Sequence, residues 1–157
     1  MSHENVEVVW RLYELLRRPG DPSAAIRRLL DGDIAAEFLD PEVEWHGTVG
    51  GLSEGTIARG YEEAVQFMLD DSQEWEKLVI EPTEFIDLGD VVVVLQREPR
   101  RGRQSGVEIE TDTASVVRLR DGRIFRLQGY MDQAAALEAA GAAGHEKQGP
   151  PCRPREE

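Results

Sequence analysis

At 157 residues with a formal net charge of −13, the chain is one domain of ordinary size whose acidity repels nucleic-acid phosphates and anionic lipid headgroups. Hydrophobic residues (40%) and charged residues (31%) stand in a globular balance, which excludes a disordered or membrane-embedded chain. The one cysteine, Cys152, excludes an intrachain disulfide and a cysteine-built metal site. Val6, Val9, Trp10, Tyr13 and Leu16 then recur at helical spacing and predict a long amphipathic first helix, closed by Arg-Arg-Pro-Gly. Ser23 is a candidate cap for a short helix carrying Ile26, Leu29 and Leu30, and 34–39 reads as another helical turn or two. Asp40-Pro41 ends it, because the residue before proline resists the helical region. A short strand follows over 43–48, then a glycine-punctuated loop to Gly60, then a helix over 61–71.

From Trp75 the period changes to two. Strands are expected over 75–88 (bent or interrupted at Pro82), 91–97, 107–119 and 124–131. Leu88-Gly89-Asp90 and Asp121-Gly122 are tight-turn signals, so these strands pair antiparallel. An alanine-rich helix over 133–140 ends at Gly141, and 142–157 is expected to be a disordered tail with little to bury. The domain is thus expected over 1–141. The apolar run 91–95 is too short to span a bilayer, and the N-terminal stretch is acidic where a secretory signal is basic, so a cytoplasmic location without membrane contact is expected. Scattered basic pairs such as Arg100-Arg101 read as solvated surface. Helices followed by a long antiparallel meander give an α+β layout in which a curved sheet wraps the helices and leaves a pocket at its mouth.

The segments NVEVVWRLYELL, DPEVEWHG, RGYEEA, EFIDLGDVVVVL, SGVEIE and VVRLRDGRIFRLQGYMDQAAALEAAG, taken in order and spacing, resemble the SnoaL-like branch of the nuclear transport factor 2-like (NTF2-like) superfamily over about residues 4–141. The resemblance implies an α+β cone with a deep pocket, and commonly a homodimer built on the outer face of the sheet. It also implies a small-molecule site without settling activity, since the superfamily holds polyketide cyclases, ketosteroid isomerase, limonene-epoxide hydrolase, dehydratases and non-catalytic binders. By family spacing the isomerase base position falls on Trp45, which cannot abstract a proton; the second acid falls near Ser115, and the tyrosine near Leu12, one residue from Tyr13.

With Ser115 toward the pocket, strand alternation sends Glu108, Glu110 and Asp112 outward. The same alternation on the last strand turns Phe125, Leu127, Gly129 and Met131 inward and Arg126, Gln128 and Tyr130 outward. Trp10, Tyr13, Trp45, Phe67, Ser115, Leu127, Gly129 and Met131 are accordingly the expected ligand-binding residues, for a small apolar molecule. His46 is the candidate acid/base, with Glu44 or Asp132 to orient its ring; the alternative is a strand-end histidine without a role in chemistry. No His/Asp/Glu pair has metal-site spacing, and the glycine loop lacks the features of a phosphate cradle, so neither a metal nor a cofactor is expected. Two readings stay open: a binding protein, and a cofactor-independent cyclase, isomerase or hydrolase using His46.

Overall fold

The computed structural model describes residues 2–16, 22–30, 34–72, 75–78, 80–102 and 104–141. The expected tail, with His145 and Cys152, lies outside these residues, as does the side chain of Ser23. Helix α1 (Ser2–Leu16) turns Val6, Val9, Leu12 and Tyr13 into the core, as its spacing requires. Helix α2 (Pro22–Arg27) begins on a proline, whose missing N–H costs nothing in a first turn, and runs into a 3-10 turn, Arg28–Leu30. Helix α3 (Ile34–Phe38) leads directly into strand β1 (Leu39–Val49). Strand β2 (Ile57–Arg59), helix α4 (Gly60–Ser72) and strands β3 (Trp75–Leu78) and β4 (Glu81–Asp87) come next. Strands β5 (Val91–Gly102), β6 (Glu108–Arg120) and β7 (Arg123–Tyr130) and helix α5 (Gln133–Ala139) complete the order.

The seven strands form one mixed sheet in the order β2-β1-β7-β6-β5-β3, with β4 also paired to β5. All neighbours are antiparallel except β1 and β7, which run parallel. On one face, Phe85, Val92, Val94, Val117 and Leu127 pack against Val9, Leu12, Leu29 and Val65 of the helices. On the other, α5 covers Ile86, Val93, Ala114 and Val116 with Ala136 and Leu137. Burial on both faces explains why Val91–Leu95 is a continuous apolar run rather than an alternating one. Among the described residues no helix is long and apolar enough to cross a membrane.

Three expectations need correction. The glycine-punctuated stretch before α4 is not all loop: β2 pairs with β1, and the Gly47 N–H donates to the Thr56 carbonyl at 2.8 Å. Gly47 is required there, since a Cβ would lie 1.8 Å from the Ser53 carbonyl oxygen. Strand β5 does not stop at Arg97. Pro99 falls between the part of β5 paired with β4 (to Arg97) and the part paired with β3 (from Arg100), where a missing N–H leaves no ladder partner on that side unpaired. On β7, Ile124 pairs with Leu119 and Arg126 with Arg118, which leaves Phe125 as an extra residue in a bulge. Ile124 therefore takes the inward place expected for Phe125, whose ring instead lies under the Arg120 guanidinium at 4.7 Å.

Candidate functional site

A cavity of about 170 Å³ lies between the concave sheet face and helices α1, α2 and α4. Of the expected ligand-binding residues, Tyr13, Trp45, Phe67 and Ser115 border it, as do Leu127, Gly129 and Met131. Trp10 does not: it sits at the edge of the helical stripe and packs, partly buried, against the core. Gly129 faces Thr48 so closely that a Cβ would stand 2.8 Å from the Thr48 hydroxyl, so glycine keeps β1 and β7 together at this wall. Tyr130, expected outward, packs with the α5 cluster and also borders the cavity.

The polar wall was not foreseen. Along β5, Gln96, Glu98 and Arg100 share the inward face by period two, and opposite them β6 supplies Thr113 and Ser115. Gln96, Glu98, Thr113 and Ser115 are all buried. The Tyr13 hydroxyl donates to Gln96 Oε1 at 2.7 Å, and Gln96 Nε2 donates to Glu98 Oε2 and to Thr113 Oγ1, each at 3.1 Å. Thr113 Oγ1 donates to Glu98 Oε2 at 2.7 Å, and the other Glu98 oxygen is paired with Arg100. Arg100 is thus not solvated surface; its side chain is only 19% exposed. Burial pushes the Tyr13 phenol far above its ordinary value, Ser115 opposing by hydrogen bonding and Glu98 reinforcing by its charge, so Tyr13 keeps its proton throughout the neutral range. The signal was present in the sequence as the alternation Gln96, Glu98, Arg100, but Pro99 masked it by resembling a strand end.

His46 is nearly buried and borders the cavity, yet its ring is tied elsewhere. Its Nε2 lies 3.0 Å from Glu44 Oε1, and Glu44, two residues away on one strand, shares its face of β1, opposite Trp45. Arg126 Nε approaches the same Nε2 at 3.3 Å. One nitrogen cannot donate to Glu44 and accept from Arg126 together; the shorter, charge-assisted contact to the carboxylate places the proton on Nε2. Asp132, the other candidate partner, instead caps α5 by accepting from the Ala134 N–H at 3.0 Å. Among the described residues no group of three or more His, Cys, Asp or Glu could hold a metal ion.

The hydrogen bond from His46 holds the Glu44 carboxyl below its ordinary value of 4.5, aided by the charges of Arg59, His46 and Arg126. A carboxyl depressed in the folded state stabilises the fold fully above its unfolded value and loses that contribution as pH falls through the folded one. Glu44→Gln should therefore flatten the loss of stability below roughly pH 4.5, by a modest amount because Glu44 is a third exposed. Urea midpoints taken across the acid range check this; an unchanged pH slope would show that the pair contributes nothing.

Similar proteins share this architecture. An NTF2-like protein of unknown function from Burkholderia pseudomallei K96243 is 26% identical, with a TM-score of 0.64 over 86% of this chain and 95% of its own. TerC, co-crystallised with polyporic acid, is 24% identical with a TM-score of 0.65 over 86% of this chain and 96% of its own. A candidate SnoaL-like polyketide cyclase from Jannaschia sp. CCS1 is 19% identical, with a TM-score of 0.64 over 90% and 92%. The last two, at such identities, speak for the fold alone. No curated protein matches the chain. The SnoaL-like domain family matches residues 23–127, two thirds of the sequence and most of the cone, and the chain belongs to that family.

Proposed function

We propose that the protein holds a small, mainly apolar molecule in the cone cavity, acting by binding rather than by turnover. The observation that carries this reading is the cavity itself: about 170 Å³, walled on one side by Trp45, Phe67, Met68, Leu127 and Met131 and on the other by a hydrogen-bonded polar cluster. Apolar cavities of about 150 Å³ accept benzene, so the enclosed space suits one ring, with anything larger reaching out through the mouth. TerC, of the same fold, was crystallised with polyporic acid, which supports a small-molecule role for such a cone. A second copy of the chain on the outer sheet face remains the partner that family membership supports.

One observation favours a second reading, a cofactor-independent cyclase, isomerase or hydrolase. The Glu44 carboxylate at 3.0 Å orients the His46 ring as an acid/base partner would. Against it stands the crowding of the ring's Nε2 by both Glu44 and Arg126. Calorimetric titration with toluene tests the binding reading: saturable one-site binding at roughly millimolar or tighter Kd is expected. Heats indistinguishable from dilution would sink it.

A further inference from the structure

We propose that the ligand of this cavity carries a hydrogen-bond donor, a hydroxyl or N–H on its ring, received by the oxygens of Tyr13 and Ser115. This rests on the binding reading above and names the chemistry of the molecule bound.

The direction of every hydrogen bond in the polar wall follows from one group. Glu98 is paired with Arg100, and a carboxylate in an ion pair only accepts. The Gln96 group 3.1 Å from Glu98 Oε2 must then be the amide nitrogen, because the reversed amide would set oxygen against oxygen. That orientation turns Gln96 Oε1 toward Tyr13, which makes the phenol the donor of their 2.7 Å bond. Thr113 has likewise given its proton to Glu98. The Gln96 and Thr113 protons thus run to one carboxylate, and the Tyr13 proton to the amide that serves it.

What the wall offers a ligand is the remainder. Tyr13 Oη keeps its lone pairs and has no second proton. Ser115 Oγ stands 3.5 Å from Gln96 Nε2, at the limit of that bond, so its lone pairs are weakly engaged. Both residues border the cavity. An incoming donor completes this arrangement. An incoming carbonyl could not use the Tyr13 proton without taking it from Gln96, leaving Oε1 buried without a partner. The same logic denies Tyr13 an oxyanion-stabilising role, since its phenolic proton is committed before any substrate arrives.

Phenol, anisole, benzaldehyde and toluene separate the possibilities, each titrated calorimetrically into the wild-type chain. Phenol should bind at least tenfold tighter than anisole, which keeps the oxygen without the donor, and than benzaldehyde. Tyr13→Phe should reduce that preference to within about threefold. Ser115→Ala, a smaller perturbation, should lower the preference in the same direction and replaces Tyr13→Phe should that variant not fold. Toluene binding with phenol no tighter than anisole, or with benzaldehyde preferred, would overturn the donor assignment and leave the binding reading standing. No binding of any of the four would overturn both.

Discussion

Trp45→Ala should weaken toluene binding by about 30-fold, whereas His46→Ala should leave it within about twofold. Removing an indole from the wall deletes a large apolar contact, on the order of 2 kcal/mol for the area a single ring covers. The His46 ring, though it borders the cavity, is held by Glu44 and Arg126, so its loss takes little from the apolar wall. Calorimetry on both variants, after circular dichroism has shown each to be folded, gives the comparison. A substrate whose turnover fell a hundredfold in His46→Ala while binding persisted would reverse the preference between the two readings.

The largest loss of stability should come from Phe85→Ala. Phe85 is, among the described residues, the largest fully buried side chain and meets the Tyr13 ring edge to face, centroids 6.1 Å apart. Emptying that volume should cost about 3–5 kcal/mol, which for a chain of this size lowers the melting temperature by roughly 6–20 °C. Phe125→Ala, at a half-buried ring in the bulge, should cost less than about 1 kcal/mol. Thermal unfolding of the pair measures both; equal losses would show that Phe85 is not the centre of the core. Because Phe85 also buttresses Tyr13, the variant should loosen the first link of the polar wall.

Local signals in the sequence carried most of the fold. The α1 stripe, the turn at Asp121-Gly122 and the period-two strands each act within a few residues, and the structure keeps them. The parallel pairing of β1 with β7 joins residues some eighty positions apart and leaves no local trace, so the sequence pointed to a mostly antiparallel sheet without showing which pair runs parallel. The Phe125 bulge was hidden for a related reason: alternation shows which residues share a face only while the register runs unbroken. Tyr13, Trp45 and Ser115 were legible as pocket residues through the family spacing. Gln96 and Glu98 were not, because buried polar groups look like surface until their partners are known. Trp10 shows the opposite limit, since a large apolar residue one step around a helix reaches the core without reaching the cavity.

An unclosed sheet has two edges, and here each is blunted against strand addition. At one end β2 offers three residues, one of them the exposed Arg59. At the other, β3 is four residues long, and β4 beside it carries Pro82 between Glu81 and Glu84. Short strands, charges and proline are the means by which open sheets avoid templating aggregation. The cone can therefore stay open at its rim, as a cavity with an entrance requires, without recruiting foreign strands along its backbone.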